Sequence, residues 1–401
     1  MAFYVKLFGS QEDCMEYLRS DDCLFPNISY CQNENVVILK ENYRGKYLTF
    51  IPLESGTFSF STNDLQYSLD NGDTWQTLTA GQSTPVIPSY TKIMWKGENL
   101  TPTEANGIGT FSTTCKHDVY GNIMSLYYGD NFSEQTNLSD KISAFRNLFM
   151  NDSMIVHAGD LIMPAITISK NCYRTMFSPS SASYVPLLET APDLPATTLG
   201  DYCYMAMFQN CQHLTTPPNL PAMTMAVECY RNMFSRCSSL KDTPELPATT
   251  LANNCYQRMF QLCSSLTTTK NLILPATTLA ESCYYCMFQN CTSLSIAPEL
   301  PATTLKSSCY EGMFERCSSL IAAPELPATT LVTKCYNGMF DGCTSLNYVK
   351  CLATDISATG CLTDWLYNVS STGTFVKDPN TTWPSGTAGI PAGWTVQDSA
   401  D

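Results

Sequence analysis

The chain has 401 residues, of which 44% are hydrophobic and 14% charged, and its 22 basic and 36 acidic side chains give a formal net charge of −14. This acidic balance argues against nucleic acid and anionic membrane surfaces as partners. No run of about 18 apolar residues occurs, which argues against membrane insertion. The length predicts two or three domains.

Residues 1–45 predict a small N-terminal α+β segment, with a short helix over residues 11–19 and a strand over residues 28–39. The first nine residues lack the basic and then apolar layout of a signal peptide. We therefore expect the protein to be made and folded in a reducing cytoplasm, where cysteines stay reduced.

Residues 46–135 alternate apolar and polar positions between turn signals, which predicts an antiparallel β-sandwich domain. Within it, residues 68–75 read Ser-Leu-Asp-Asn-Gly-Asp-Thr-Trp and resemble an Asp-box. The resemblance implies a hairpin in which Asp70 caps the turn and Trp75 packs beneath it. A single such hairpin predicts structure and says nothing of sugar cleavage.

One phrase then recurs: Leu-Pro-Ala-x-Thr-x-x-x-x-Cys-Tyr-x-x-Met-Phe-x-x-Cys-x-x-Leu. Its copies are 26 residues apart, except for one interval of 28, and begin at Leu194, Leu220, Leu246, Leu274, Leu300 and Leu326. Weaker copies surround Cys172 and Cys361. A fixed period in this range predicts units that bury their apolar faces against each other.

Within a copy, the Tyr, Met and Phe positions suit a short helical turn, and the segments next to each Pro suit extended backbone. We therefore predict an α/β solenoid of the leucine-rich-repeat type, with a period of about 26 residues, over residues 136–370. Residues 371–401, rich in Gly, Pro and Trp, predict a C-terminal cap.

The cysteines of the phrase invite a disulfide or metal interpretation. They lie eight residues apart, unlike the close pairs of zinc sites. Ala144 takes the first cysteine position in one weak copy and Val369 takes the second in another, and neither residue can bind a metal or form a disulfide. We therefore predict reduced cysteines that pack as small buried side chains, with no metal and no cofactor.

Catalytic motifs are missing from the sequence. The three histidines have no metal-ligand spacing or adjacent nucleophile motif, and no Gly-rich phosphate loop occurs. The residues before each Leu-Pro form an acidic column of Asp193, Glu245, Glu299 and Glu325, which Asn219 and Ile273 interrupt. This column could bind calcium or supply paired carboxylates for glycoside hydrolysis, or it could consist of solvated turn residues. We predict a protein that is not an enzyme.

The positions that differ between otherwise similar copies are mostly polar. A constant core with a varied outer stripe is how repeat proteins build recognition surfaces. The alternative is that solvent-facing positions vary freely. The predicted recognition surface comprises Arg231, Asn232, Gln257, Arg258, Tyr285, Gln289, Asn290, Glu311 and Arg316.

The repeated phrase resembles the BspA-type leucine-rich repeat, whose usual phrase is Ile-Gly-x-x-Ala-Phe-x-x-Cys-x-x-Leu. Cys255 stands at the Ile position and Met259 at the Ala position, whereas Phe260, Cys263 and Leu266 match directly. The resemblance covers about residues 140–370 and implies adhesion to host or bacterial surface partners.

The front of the chain is similar to gut-bacterial and phage-encoded proteins that place a sandwich before such repeats. The segments that carry this similarity are residues 25–31, 67–75 and 107–112. BspA-like proteins are usually exported, whereas this sequence shows no export signal. A phage structural protein, folded in the host cytoplasm and released at lysis, would reconcile the two observations.

The resemblance therefore predicts a non-enzymatic adhesion or recognition protein of a phage virion, acting in a tail or fibre as a receptor-binding or accessory structural protein. We expect a cell-surface protein or glycan receptor and other virion proteins as partners, and a homo-oligomer. Three alternatives stay open: a bacterial cell-surface adhesin whose signal is missing from this sequence, a carbohydrate-active enzyme using the acidic column, and a structural spacer.

Overall fold

The computed structural model describes residues 28–33, 36–41, 46–98, 100–150, 152–181, 184–269 and 272–399, with side chains described from residue 46 onward. The strands are β1 Ile28–Asn33, β2 Val36–Glu41, β3 Leu48–Pro52, β4 Phe58–Phe60, β5 Leu65–Ser68, β6 Gln76–Leu78, β7 Ile93–Lys96, β8 Phe111–Thr113, β9 His117–Asn122, β10 Asn137–Leu138, β11 Asp160–Ile162, β12 Thr167–Ile168, β13 Tyr348–Cys351, β14 Thr374–Lys377 and β15 Thr395–Asp398. A short helix, α1, spans Ser125–Tyr128 and precedes a 3-10 turn at Gly129–Asn131. β1 and β2 pair as an antiparallel hairpin, and the helix predicted over residues 11–19 lies outside the described residues.

A six-stranded sheet forms the first part of the chain, in the order β11-β9-β3-β7-β5-β6. Its pairs are antiparallel except for β11 and β9, which are parallel. The ribbon of β4 and β8 packs on the sheet through aromatic rings, since Phe50 lies 5.7 Å from Phe58 and 4.9 Å from Phe111 between ring centroids. In place of the predicted antiparallel sandwich, one mixed sheet carries a two-stranded layer.

The hairpin between β5 and β6 has the geometry that the Asp-box resemblance implies. The backbone N–H of Thr74 donates to the Asp70 carboxylate at 2.9 Å, and the Thr74 hydroxyl donates to its other oxygen at 2.5 Å. These two bonds, with a third from Ser68, lower the pKa of Asp70 to about 2. Trp75 packs edge-on against Tyr47, at 4.9 Å between ring centroids. The predicted hairpin is confirmed.

The repeats contain turns in place of the predicted helices. In the part of the chain that the structure describes, α1 is the only α-helix, and the strands belong to several small sheets with none running along the repeats. The predicted α/β solenoid is therefore wrong.

The backbone hydrogen bonds explain why no helix forms. The N–H groups of Met205 and Met207 donate to the carbonyls three residues back, each at 3.1 Å, whereas the N–H of Ala206 between them donates to the Arg231 carbonyl in the next copy at 2.8 Å. An α-helix requires each N–H to bond four residues back within its own segment. Because every second N–H leaves the copy, a helix is excluded.

Left-handed backbone recurs every fourth residue of this segment. In the first strong copy, Tyr202, Ala206 and Asn210 have φ values of 59°, 55° and 65°. The left-handed region is unfavourable for residues with a side chain, at a cost of about 1–2 kcal/mol each. The four-residue spacing of these reversals imitates a helical period, which is why the sequence pattern predicted helical turns.

Each repeat position forms a column of like side chains. The tyrosines of successive copies stack with ring centroids 5.6 to 6.1 Å apart from Tyr173 to Tyr336, and the phenylalanines stack at 5.4 to 5.7 Å from Phe177 to Phe340. All of these rings are buried. Offset stacking of this kind adds about 0.5–1.5 kcal/mol per pair beyond the burial of area.

The cysteines of the phrase are buried in the same core, which confirms that they pack there. Those at the second position also donate a weak hydrogen bond, as in Cys291, whose Sγ lies 3.1 Å from the Phe260 carbonyl of the preceding copy. Burial raises the pKa of the thiols, to about 12 for Cys255. These cysteines are therefore packing groups and weak donors, and poor nucleophiles.

The tyrosine column ends on tryptophans. Trp365 stacks on Tyr336 at 6.4 Å and on Trp383 at 5.5 Å, and its Nε1–H donates to the Gly389 carbonyl at 2.8 Å. Beside them, β13, β14 and β15 form a parallel sheet. The residues after 370 thus cover Trp365, which is wholly buried.

A histidine–aspartate pair lies buried where the six-stranded sheet meets the first weak copies. His117 Nε2 is 3.3 Å from Asp152 Oδ2, and both side chains are fully buried. The imidazole also packs against Phe50 and Phe58, at 5.2 and 5.3 Å between ring centroids. Burial, the largest single effect, lowers the pKa of His117. The charge of Asp152, hydrogen bonding to Asp152 and to the Cys115 carbonyl, and the charge of Asp118 together outweigh burial, so that the pKa is raised above its usual value.

The first prediction concerns the pH dependence of stability. Because the pKa of His117 is higher in the folded than in the unfolded chain, its contribution is complete below about pH 6.5 and is lost as pH rises through the folded pKa. Asp152→Asn should lower the free energy of unfolding at pH 6 by about 3 kcal/mol. It should also make the free energy of unfolding fall less steeply between pH 6 and pH 9 than it does in the wild type. Urea unfolding at several pH values measures the free energy and its pH dependence, and His213→Asn is the control at an exposed histidine. Equal slopes for wild type and Asp152→Asn would contradict the charged pair.

The second prediction concerns the tyrosine column. The hydroxyl of Tyr230 is buried without a hydrogen-bond partner, and such a group costs about 1–3 kcal/mol. Tyr230→Phe should therefore leave stability unchanged or raise it, whereas Tyr230→Ala should lower the free energy of unfolding by about 3–5 kcal/mol. Urea unfolding followed by circular dichroism gives both values. A loss of more than about 1 kcal/mol in the Phe variant would mean that the hydroxyl has a partner.

Candidate functional site

The predicted recognition residues lie on columns that flank the buried rings. Because copies stack in register, the residue after each Tyr, the residue before each Met and the two residues after each Phe form four columns, which we call the varied face. Arg231, Gln257, Tyr285 and Glu311 belong to the first column. The residues of the second and fourth columns have left-handed backbone, with φ between 50° and 73°.

Four of the nine predicted residues line one depression on the varied face, with a volume of about 210 Å³. These are Arg258, Tyr285, Gln289 and Glu311. The sequence prediction missed other lining residues, which include Gly312, Glu315, Asn337, Gly338, Asp341 and Asp364. We call this depression the acidic groove.

Two glycines line the groove. Gly312 and Gly338 occupy the column in which Arg258 and Asp364 carry side chains, with φ values of 62° and 58°. A Cβ atom on Gly338 would meet nothing within 4 Å, whereas one on Gly312 would lie 2.9 Å from Cys286 Sγ. The left-handed conformation favours glycine, so the missing side chain of Gly338 leaves a hollow without straining the backbone.

Charge is divided unevenly along the groove. At one end the Arg258 guanidinium lies 5.3 Å from the Tyr285 ring centroid, a cation–π geometry. The other lining residues include four carboxylates, from Glu311, Glu315, Asp341 and Asp364. The surplus of negative charge favours a ligand that carries a cation or several hydrogen-bond donors.

Hydrogen bonds hold part of the groove in place. The Gln261 amide donates to Gln289, and Gln289 Nε2 donates to Glu315 Oε2 at 2.5 Å. The next residue in this column is Asp341, whose pKa is raised by burial and by the negative charges of Glu315 and Asp364, against a lowering by Arg316. The column therefore changes from amides to carboxylates along its length.

The other five predicted residues do not line the groove. The Arg231 guanidinium is bound to Glu228 at 2.7 Å, and Asn232 and Gln257 lie in neighbouring copies of the same columns. Asn290 and Arg316 lie in the fourth column. These residues extend the varied face beyond the groove.

A column-by-column alignment of the repeats could have identified the missed residues. Glu315 follows Gln289 by 26 residues, and Asp341 follows Glu315 by the same interval. Gly312 and Gly338 are also one period apart, so that a hollow can be inferred where two side chains are absent in succession.

The carboxylates of the acidic column before each Leu-Pro lie outside the acidic groove and are exposed to solvent. Glu245, Glu299 and Glu325 are exposed, and Glu325 forms an ion pair with Lys350 at 3.1 Å. Glycosidase acids lie in apolar surroundings, whereas these carboxylates face water. Within the described ranges, no three His, Cys, Asp or Glu side chains are placed to hold a metal ion.

Comparison with protein-family models, with curated proteins and with solved structures gave no match. The BspA-type resemblance and its adhesive role therefore stay predictions. Among the residues described, no helix is long and apolar enough to cross a membrane.

The third prediction tests the electrostatics of the groove. Because the pKa of Asp341 is raised on folding, its ionisation costs stability above that pKa, a cost that an amide avoids. Asp341→Asn should raise the thermal midpoint at pH 7 by about 1–2 °C, and the gain should vanish below about pH 4, where both states are protonated.

Differential scanning calorimetry at both pH values measures the effect. Asp355→Asn is a matched control on a carboxylate whose pKa is lowered by hydrogen bonds from Ser357. This substitution should lower the midpoint at pH 7. A lower midpoint in both variants would show that Asp341 is not repelled by its neighbours.

Proposed function

We propose that the protein is a non-enzymatic recognition protein that binds a cell-surface partner through the acidic groove. The observation that carries this proposal is the contrast between constant and varied columns. The Tyr, Phe and Cys columns are constant and buried, whereas residues that differ from copy to copy converge on one concave site. Purely structural solvent-facing positions have no reason to converge in this way.

The groove chemistry narrows the class of partner. Four carboxylates with one arginine suit a lysine or arginine side chain of a surface protein, or an amino sugar of a glycan. The Tyr285 ring beside Arg258 adds a flat apolar surface against which a sugar or an aliphatic chain can pack.

The buried thiols support a virion location. The cysteines whose side chains the structure describes are free and buried, a state that suits folding in a reducing compartment. A virion protein assembled in the host cytoplasm meets this condition, and contact with other virion proteins belongs to the same proposal. A bacterial cell-surface adhesin is the alternative location. Mass spectrometry of purified virions from the source community distinguishes the two.

The fourth prediction fills the groove. Gly338→Arg places in the hollow the side chain that Arg258 carries in the same column at a similar φ, at a cost in backbone strain of about 1–2 kcal/mol. The variant should weaken binding of labelled protein to bacterial cells at least tenfold, about 1.4 kcal/mol, because volume and negative charge are both lost. Flow cytometry over a concentration series gives the apparent Kd.

Thr330→Arg is the matched control, since it adds the same side chain to an exposed position of the same copy. It should bind as wild type does. Equal weakening by both variants would attribute the effect to net charge and remove the groove from the proposal. Failure of the wild-type protein to bind any cell of the source community would favour a structural spacer.

A further inference from the structure

The acidic groove places charges of opposite sign on the two sides of one copy. The Arg258 N–H donates to the Tyr285 carbonyl at 2.8 Å, and the Cys286 N–H donates to the Glu311 carbonyl at 2.9 Å. Arg258, Tyr285 and Glu311 therefore stand in three successive copies, with Tyr285 in the middle. The buried tyrosine rings of these copies are 5.7 Å apart at each step. Two such steps separate the copy that holds the cation from the copy that holds the carboxylate.

The Arg258 guanidinium has no carboxylate partner within the described residues. Arg231, in the neighbouring copy, is held by Glu228 at 2.7 Å, whereas Arg258 forms no ion pair with any residue in the part of the chain that the structure describes. It lies instead over the Tyr285 ring. The ring attracts the charge but supplies no acceptor oxygen, so the guanidinium can still bind a carboxylate of a ligand.

Two groups of the middle copy lie close to both signs of charge. Burial raises the pKa of the Tyr285 hydroxyl, the charges of Cys286 and Glu311 raise it further, and the charge of Arg258 lowers it. Burial likewise raises the pKa of the Cys286 thiol to about 11, with a lowering by Arg258 and a further rise from Glu315. Tyr285 and Cys286 therefore stand between the cation on one side and carboxylates on the other.

The groove has room for one residue-sized unit. Its volume of about 210 Å³ is below the roughly 300–1,000 Å³ of cavities that hold drug-sized ligands. The half-buried Tyr285 ring lies between the two charges and offers an apolar surface. The ligand unit that fits best therefore carries an anion and a cation joined by a short apolar stem.

We propose that the acidic groove binds the carboxyl-terminal residue of a cell-surface peptide, and that this residue is a lysine or a similar residue with an ammonium on an alkyl stem. Its free carboxylate accepts hydrogen bonds from Arg258, since the guanidinium fork matches carboxylate geometry. Its stem lies along Tyr285, and its ammonium lies between Glu311 and Glu315, because a four-carbon stem separates the two charges. The proposal rests on the function proposed above, in which the acidic groove is the binding site.

Other cationic ligands use less of the groove. A lysine inside a chain has no free carboxylate and leaves Arg258 without an anion. An amino sugar that also carries a carboxylate holds both groups on one ring, so that they lie closer together than two steps of 5.7 Å. An α-amino acid without a side-chain amine has its two charges closer still.

Fluorescence anisotropy with a labelled tripeptide tests the proposal on the full chain. The probe is Ala-Ala-Lys with a free carboxylate and a fluorophore on its amino end. It is compared with its carboxyl amide and with a tripeptide that ends in norleucine, which has an alkyl stem and no ammonium. Each change should raise the Kd at least about tenfold, because each removes one of the two charges.

Two variants assign the ligand charges to their residues. Arg258→Met should abolish the preference for the free carboxylate over the amide and keep the preference for lysine over norleucine. Glu311→Gln should reduce the preference for lysine at least about threefold and keep the preference for the carboxylate. Asp355→Asn, at an exposed carboxylate outside the groove, should keep both preferences. A merely structural role of Arg258 or Glu311 would weaken both preferences together.

Four results would each overturn the proposal: equal binding of the free acid and the amide, loss of both preferences in Arg258→Met, tighter binding of a labelled glucosamine than of the tripeptide, or no saturable binding up to about 10 mM. The cell-binding assay with Gly338→Arg is a separate test. If the tripeptide fails while Gly338→Arg still weakens cell binding, the groove binds a cell-surface ligand of another kind. If the tripeptide binds as expected while Gly338→Arg binds cells as wild type does, the groove does not serve cell recognition.

Discussion

Every second backbone N–H donates to the next copy in the segment that runs from the residue before the first cysteine position to the residue before the second, and the rest of the architecture depends on this alternation. The bonds from Tyr204 to Cys229 and from Phe208 to Met233 fix adjacent copies in register, at 3.0 Å each. Register in turn converts each sequence position into a column, so that like rings stack and like thiols line the core. A copy alone satisfies only half of its N–H groups in this segment. The copies are therefore stable only next to each other.

The same constraint explains how the 28-residue interval is tolerated. Tyr256 and Tyr284 stack at 5.7 Å, the same distance as Tyr284 and Tyr310 across an interval of 26. The spacing from Cys263 to Leu274 is 11 residues, against nine from Cys237 to Leu246. The two extra residues thus fall between the second cysteine and the next Leu-Pro, outside the alternating segment. Length changes are accommodated where no bond pattern has to be kept.

The sequence correctly predicted which side chains of the repeat are buried, but it did not predict the backbone conformation. The burial of the cysteine column follows from comparing the copies, because a position that accepts Cys, Ala or Val must be a small apolar one. The helix prediction failed because left-handed residues four apart imitate a helical period. A signal was present: the left-handed columns hold Asn232, Asn254 and Asn290 as well as Gly312 and Gly338, and glycine and asparagine are the residues that adopt this conformation most readily. When each copy is considered alone, these asparagines and glycines cannot be told apart from solvent-exposed positions that vary freely.

The left-handed columns also explain why a groove arises on the varied face. Elsewhere in a repeat, replacing a side chain by glycine costs conformational entropy or leaves a cavity. In a left-handed column glycine relieves strain, so a hollow forms there without loss of stability. Gly338 has open space where its side chain would be, whereas Arg258 fills the same position three copies earlier. Substitutions in these columns can therefore reshape the surface while the rings beneath stay stacked. The sequence pattern wrongly predicted helical turns in these left-handed segments. The same segments allow the residues of the candidate site to differ from copy to copy.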